Sequence, residues 1–202
     1  NTLGVDAVHP VPLDILAAQI DAVLSDIGTD AIKIGMLHSV EVVSLVADKI
    51  EQYGITNVVL DPVMVSTSGH KLIEDNAIEI MKNRLIPLAR VITPNIPEAE
   101  ILSGCTITAQ QEFPQIATLL SHNNSTSVLL KAGHLNGDTL TDYFYNAEDG
   151  SMTLLPSKRV DTRNTHGTGC TLSSALAAAI ARGESLTEAA ISAKRYIEQA
   201  II

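Results

Sequence analysis

The stretch Asn57-Val58-Val59-Leu60-Asp61-Pro62 places a short apolar run directly before an aspartate and a proline. Because proline cannot donate a ladder hydrogen bond, we expect it to end the strand that this run predicts. Every position of the run is apolar, rather than every second one, which is typical of a strand buried on both faces. Such strands form parallel sheets that carry helices on both sides.

Similar apolar runs recur along the chain, with helical periodicity between them. Strands are predicted at 30–34, 57–60, 90–93 and 127–131, and a β-hairpin at 143–145 and 152–155. Helices are predicted at 12–27, 40–53, 75–85, 97–104 and 108–121, after Gly169 and from Ser185, with capping boxes at Thr108-Ala109-Gln110-Gln111 and Ser185-x-x-Glu188. The alternation predicts an α/β fold with a central, mostly parallel β-sheet and helices on both faces, in three layers (α/β/α).

The composition indicates a single globular domain over residues 1–202, because 46 % of the residues are hydrophobic. The formal net charge of −10 argues against nucleic-acid binding, because the sequence has no basic stripe that could neutralise phosphates. No apolar run reaches the roughly 20 residues that span a bilayer. The two cysteines, Cys105 and Cys170, lack the spacing of a zinc site, and this usage predicts a cytoplasmic protein.

Residues that carry chemistry follow four of the predicted strands. They lie in the segments Lys33-Ile34-Gly35-Met36, Asp61-Pro62-Val63-Met64, Thr93-Pro94-Asn95 and Lys131-Ala132-Gly133-His134. Ligands of parallel sheets bind beyond the carboxyl ends of the strands, so we expect these four segments to meet at one edge.

The stretch Thr162-Arg163-Asn164-Thr165-His166-Gly167-Thr168-Gly169-Cys170-Thr171 reads as a glycine turn that opens a helix. The first N–H groups of a helix and the positive end of its dipole favour an anion, and glycine lets the backbone approach a phosphate closely. Cys170 lies in the first turn. The stretch is neither a P-loop nor a dinucleotide fingerprint, and the alternative is a glycine-capped helix start with a buried cysteine.

Three further residues have the chemistry of a phosphoryl-transfer site. Such a site needs a cation for the transferred charge and carboxylates that hold Mg²⁺ directly or through water. Lys131 could supply the cation, and Asp61 and Glu98 could supply the carboxylates. Each also has a simpler interpretation: Lys131 as a solvated strand-end lysine, Glu98 as a partner of the helix dipole, and Asp61 as a turn residue.

Taken together, the motifs resemble a known family. They are Asp61-Pro62-Val63-Met64-Val65, Thr93-Pro94-Asn95-Ile96-Pro97-Glu98-Ala99-Glu100, Lys131-Ala132-Gly133-His134 and the run from Asn164 to Ala175. In this order, and over essentially the whole chain, they resemble the hydroxymethylpyrimidine/phosphomethylpyrimidine kinases of thiamine biosynthesis, in the ribokinase-like superfamily. A cysteine at position 170, where sugar kinases carry aspartate, marks this branch.

The resemblance implies phosphorylation of 4-amino-5-hydroxymethyl-2-methylpyrimidine, and then of its monophosphate, with ATP and Mg²⁺. It assigns Gly167, Thr168, Gly169 and Cys170 to an anion hole, with Cys170 at the position of the catalytic base and beside the substrate. It assigns Asn95, Glu98, Lys131, Thr168 and Gly169 to the nucleotide and its phosphates, Asp61 and Glu98 to the metal, and Met36 and Val63 to the pyrimidine pocket. It also implies a homodimer.

The chain departs from this family at its ends. The resemblance implies a strand–helix–strand unit of roughly 40 residues before Asn1, and a tail after Ile202. Three alternatives stay open: a pyridoxal or pyridoxine kinase of the same superfamily, a hydrolase with Cys170 as nucleophile beside His166, and an inactive binding protein with a kinase fold.

Overall fold

The computed structural model describes residue 7 and residues 9–64, 72–133, 139–160, 162 and 166–201. In this part of the chain one sheet has the strand order β1-β2-β3-β4-β5-β6. The strands are β1 (Ile32–Ile34), β2 (Val58–Leu60), β3 (Val91–Ile92), β4 (Ser127–Leu130), β5 (Thr139–Tyr145) and β6 (Met152–Lys158). Strands β1 to β4 are parallel, whereas β5 and β6 are antiparallel. The predicted mostly parallel sheet is therefore confirmed.

Helices precede, separate and follow the strands. They are α1 (Leu13–Asp26), α2 (Val40–Tyr53), α3 (Asp75–Ile80), α4 (Ile96–Ser103), α5 (Phe113–Leu120), α6 (Thr168–Ala181) and α7 (Leu186–Ile201). Ser39 caps α2 through the N–H of Val42, and Gly54 ends it in the left-handed conformation. Both residues act as sequence-based capping rules predict.

The core is divided by the sheet into two halves. Alternate strand residues point to opposite faces: Leu60, Ile92 and Leu130 to one side, and Val59, Val91 and Leu129 to the other. Helices α2 to α5 pack on the first side, while α6 and α7 pack on the second. The three-layer α/β/α prediction is thus confirmed, and α6 crosses the sheet above β1 and β2.

Three predicted boundaries are wrong. Helix α6 begins at Thr168, not after Gly169, because Gly167 takes the left-handed turn (φ 81°) and helical geometry follows at once. The predicted helix 75–85 is α-helical only to Ile80 and continues as a π turn (Met81–Leu85) and a 3₁₀ turn (Ile86–Leu88). The hairpin strands are also longer than predicted, since pairing extends to Thr139 and Lys158.

The capping box predicted at 108–111 is displaced by one residue. Glu112, rather than Gln111, accepts hydrogen bonds from the N–H groups of Thr108 (2.7 Å) and Ala109 (3.0 Å). The reason is that Ala109 is still extended (φ −149°, ψ 153°), so the first helical residue is Gln110. The box at Ser185 and Glu188 is confirmed.

Candidate active site

Asp61 is the centre of the carboxyl edge of the sheet. It follows β2 directly, and its side chain is only 2 % exposed. Its Oδ1 accepts hydrogen bonds from the Thr93 hydroxyl and from the Lys131 ammonium, both at 3.0 Å. The Ser173 hydroxyl of α6 lies 3.3 Å from Oδ2. Two strand ends and one helix therefore meet on a single buried carboxylate.

Two lysines flank this carboxylate. Lys131 follows β4 and pairs with Oδ1, whereas the Nζ of Lys33, in β1, lies 3.9 Å from Oδ2. Each ammonium group occupies space beside a glycine. A Cβ at Gly169 would lie 3.2 Å from the Lys131 ammonium, and a Cβ at Gly35 would lie 2.9 Å from the Lys33 ammonium.

Asn95 and Glu98 form the cap of α4 beside this centre. The Glu98 N–H donates to Asn95 Oδ1 (2.9 Å), and the Asn95 N–H donates to Glu98 Oε2 (2.8 Å). Glu98 is 4 % exposed, and this burial raises the pKa of its carboxyl. The Lys131 charge and the N–H groups of Asn95 and Met64 oppose that shift. The carboxyl is therefore buried within the electrostatic range of Lys131.

The ends of β3 and β4 hold Asn95 and Lys131 side by side. The two residues form a parallel bridge, and the Lys131 N–H donates to the Pro94 carbonyl at 3.0 Å. Beyond Lys131, the Ala132 N–H donates to Asp142 Oδ1. The other oxygen of this carboxylate, Oδ2, pairs with the Lys194 ammonium at 2.6 Å. The strand end that carries Lys131 is thus fixed by backbone and side-chain bonds.

The first turn of α6 faces the same edge. The Thr171 N–H donates to the Gly167 carbonyl at 2.9 Å, so the N–H groups of Gly169 and Cys170 precede the first intrahelical bond. Because the Lys131 ammonium lies next to Gly169, a cation and first-turn N–H groups adjoin each other. This arrangement favours an anion at the helix N-terminus.

Cys170 is exposed, and it lines a groove of about 580 Å³ along α6 and α7. The groove is also lined by Thr171, Ser174, Ala175, Ala178, Arg182, Ser192 and Tyr196, and therefore lies apart from the buried carboxylates.

Met36 (43 % exposed) and the half-buried Val63 follow β1 and β2 at the carboxyl edge. His166 is exposed, while positions 65, 134 and 163–165 of the quoted motifs lie outside the described residues.

Lys33, Thr93 and Ser173 had no individual role in the sequence-based prediction, although Lys33 and Thr93 lie in segments that were expected at this edge. Two of them carried a usable signal. Lys33 interrupts an otherwise apolar strand, and Ser173 lies on the buried face of α6 next to Leu172. A buried polar side chain needs a partner, so both positions indicated a polar contact inside the fold.

The donor set fits a magnesium ion that arrives with a nucleotide. In the ranges that the structure describes, no group of three or more His, Cys, Asp or Glu side chains could hold a metal alone. Mg²⁺ retains several waters and usually takes one or two carboxylates together with substrate phosphates. Asp61 and Glu98 satisfy that need. Because lysines and hydroxyls already contact Asp61, its oxygens suit an ion held through water.

Within the described residues, no helix has the length and apolarity that crossing a membrane would demand.

The three-layer fold, with lysines, carboxylates and a helix N-terminus at one sheet edge, is that of a ribokinase-like phosphotransferase. A family model described as phosphomethylpyrimidine kinase matches residues 1–202. The chain belongs to the phosphomethylpyrimidine kinase family.

Two curated relatives are similar over the whole chain. The hydroxymethylpyrimidine/phosphomethylpyrimidine kinase of Rhizobium meliloti (strain 1021) is 43 % identical over 202 residues, which are all of this chain and 75 % of the relative. A thiamine biosynthesis bifunctional protein of Geobacter sulfurreducens is 44 % identical over 201 residues, and the chain spans 41 % of its length.

Two solved structures have the same fold. Phosphomethylpyrimidine kinase from Clostridium difficile 630 superposes with a TM-score of 0.85 at 36 % identity, covering all of this chain and 82 % of that one. Bacillus subtilis pyridoxal kinase, in an ADP complex, superposes with a TM-score of 0.88 at 35 % identity, covering 96 % of this chain and 73 % of that one.

Proposed function

We propose that the protein transfers the γ-phosphoryl group of ATP to the hydroxyl group of 4-amino-5-hydroxymethyl-2-methylpyrimidine, and then to the resulting monophosphate, in thiamine biosynthesis. One observation carries this proposal: in a member of the phosphomethylpyrimidine kinase family, the Lys131 ammonium lies between the buried Asp61 carboxylate and the first turn of α6. A phosphoryl group in transfer spreads negative charge over its oxygens, and this edge offers it a cation and N–H groups.

In the proposed reaction, the substrate hydroxyl oxygen forms the new bond to the γ-phosphorus as the bond to the β,γ-bridging oxygen breaks, and ADP leaves. Lys131, Thr168 and the N–H groups of Gly169 and Cys170 bind the phosphates. Asp61 and Glu98 would hold Mg²⁺, with Asn95 fixing Glu98 through the helix cap. When bound there, Mg²⁺ would supply charge neutralisation for the phosphates. Catalysis on this account is chiefly positioning and charge stabilisation.

The substrate alcohol is proposed to lie between Cys170 and the residues after β1 and β2. Met36 and Val63 would contact the pyrimidine ring, because both follow strands at the edge that holds Asp61. Cys170 would accept the hydroxyl proton as the new bond forms. Its exposed thiol, in the first turn of α6, is open to a substrate.

The second candidate is a pyridoxal kinase, which the similarity to the Bacillus subtilis pyridoxal kinase favours. The test is kcat/KM on hydroxymethylpyrimidine, its monophosphate and pyridoxal with MgATP. We expect the two pyrimidines to be the better substrates. A higher kcat/KM for pyridoxal would overturn the proposal in favour of the second candidate.

The same assay separates two other classes. A hydrolase with a Cys170 nucleophile would act without MgATP and would have no use for Lys131 or Glu98. A protein that binds these ligands and forms no phosphorylated product would be a binding protein with a kinase fold. We expect an absolute requirement for MgATP and the release of one ADP for each phosphoryl group transferred.

The family resemblance implies a homodimer, and the cysteine usage predicts a cytoplasmic protein. Light scattering on the purified protein measures its mass and thus its subunit number.

A further inference from the structure

Lys33 is a second cation on the central carboxylate, and the phosphate-binding scheme does not use it. Its Nζ lies 3.9 Å from Asp61 Oδ2, opposite the oxygen that Lys131 contacts, and its side chain is 19 % exposed. Residue 35 leaves room for this ammonium group, since a Cβ there would lie 2.9 Å from it. No backbone requirement explains the glycine, because its φ lies outside the left-handed region.

Two cations on one aspartate differ from the lysine–aspartate pairs elsewhere in the molecule. Lys49 pairs with Asp21, and Lys194 pairs with Asp142, each at 2.6 Å, so that one ammonium meets one carboxylate. At Asp61 the Thr93 hydroxyl and Ser173 add further contacts. One lysine would therefore satisfy Asp61, and the second needs a reason.

The reason lies in the two partners that Lys131 must serve. Its ammonium contacts Asp61, yet it also lies beside Gly169, where a phosphate would meet the N–H groups of α6. A lysine that turns to a phosphate gives up part of its contact with Asp61. Leaving a buried carboxylate without a cation is strongly unfavourable. Without a second cation on Asp61, binding the phosphate would carry that cost.

We propose that Lys33 is a positioning residue: it holds the charge of Asp61 through Oδ2, and thereby frees Lys131 to contact the phosphates of the nucleotide. This inference rests on the proposed function. It predicts that losing Lys33 weakens nucleotide binding although Lys33 does not itself contact the nucleotide.

Three substitutions separate this role from a structural one. Lys33→Met keeps most of the length of the side chain and removes its charge. Gly35→Ala keeps the charge and displaces the ammonium group, because among the described residues the added Cβ meets only the Lys33 side chain within 4 Å. Lys49→Met is the matched control, since Lys49 is similarly buried, at 13 % exposure, and pairs with an aspartate away from the sheet edge.

The experiment is calorimetric titration of MgADP into the full-length protein and each variant, with thermal unfolding in parallel. We expect Lys33→Met to raise the Kd for MgADP by about tenfold, which corresponds to about 1.4 kcal/mol. Gly35→Ala should raise the Kd by a smaller factor. Lys49→Met should leave the Kd unchanged and lower Tm. In a Lys131→Met background, Lys33→Met adds no further loss, because the two residues act through one contact.

Wild-type affinity in folded Lys33→Met protein would overturn the inference, as would fully additive effects of the two lysines. If Lys33→Met does not fold, an unchanged Kd in Gly35→Ala overturns it instead. A wild-type protein that phosphorylates no alcohol refutes the proposed function itself. An active wild type with an unaffected Lys33→Met variant refutes only the inference.

Discussion

Helices α4 and α7 begin with the same reciprocal cap, yet the two caps lie in different surroundings. In α4 the partners are Asn95 and Glu98, and in α7 they are Ser185 and Glu188. Ser185 and Glu188 are exposed. Glu98 is buried and lies within electrostatic range of Lys131 and Asp61, and its burial raises the pKa of its carboxyl.

The capping motif and its position in the fold therefore indicate different things. The spacing of an acceptor and a glutamate three residues later indicates a helix start in both places. Only Asn95 follows a parallel strand at its carboxyl end, next to the strand end that carries Lys131. Ligand sites of parallel sheets lie at that edge, so the position, and not the motif, gives the α4 cap its proposed role.

The largest change in kcat is expected when Lys131, the cation at this edge, is replaced. Lys131→Met should lower kcat for pyrimidine phosphorylation by about 10²-fold or more, as is typical when one preorganised charge donor is lost. Lys49→Met removes an equally buried lysine from a surface pair and should leave kcat within about twofold. Steady-state rates of ADP release measure both. Near-normal kcat in folded Lys131→Met protein would remove Lys131 from the mechanism.

Between the two capping glutamates, the expected difference in kcat is somewhat smaller than the effect of losing Lys131. Glu98→Gln keeps an acceptor for the Asn95 N–H and removes the charge that is proposed to hold Mg²⁺ through water. We expect kcat to fall about 10- to 100-fold, the range for losing an outer-shell metal partner, and the need for free Mg²⁺ to rise. Glu188→Gln should change neither. Equal kinetics of the two variants would show that both glutamates serve only as caps.

Alanine substitutions of the two capping acceptors should lower the free energy of unfolding similarly, but should differ in their effect on kcat. Asn95→Ala removes the hydrogen bond from the Glu98 N–H, and Ser185→Ala removes the bond from the Glu188 N–H together with the exposed bond to the Glu188 carboxylate. Each loss of a cap should lower the free energy of unfolding by about 1 kcal/mol. Only Asn95→Ala should also lower kcat, because it loosens Glu98. Urea unfolding and the kinetic assay test this pair. A kcat loss in Ser185→Ala of the same size would refute the distinction between the two helix starts.

The smallest effect is expected at the surface pair of Asp21 with Lys49. Hydrogen bonds from Lys49 and Tyr53 lower the pKa of the Asp21 carboxyl. Its stabilisation is therefore complete above the unfolded pKa of about 3.9 and is lost as the pH falls through the lower folded value. Asp21→Asn should lower Tm at pH 7, and the difference should shrink as the pH falls below about 3.9. A difference that stays constant on acidification would argue against an ionic origin.

The sequence alone was sufficient for the fold and for most of the edge. Continuous apolar runs indicated the parallel strands, and the residues after them indicated where Asp61, Asn95 and Lys131 would meet. The pairing of Lys131 with Asp61 connects residues that are 70 positions apart, so only the folded chain reveals it. The same is true of Lys33 and Ser173, whose partner is also Asp61. Local rules describe helix starts, whereas the cluster depends on the register of four strands.

The most direct test of the central claim is a crystal structure of the protein with MgADP. We expect the diphosphate to lie within hydrogen-bond distance of the Lys131 ammonium and of the N–H groups of Gly169 and Cys170. We also expect the Lys33 ammonium to remain in contact with the Asp61 carboxylate. A diphosphate bound elsewhere, for example in the groove along α6 and α7, without contact to Lys131, would contradict it.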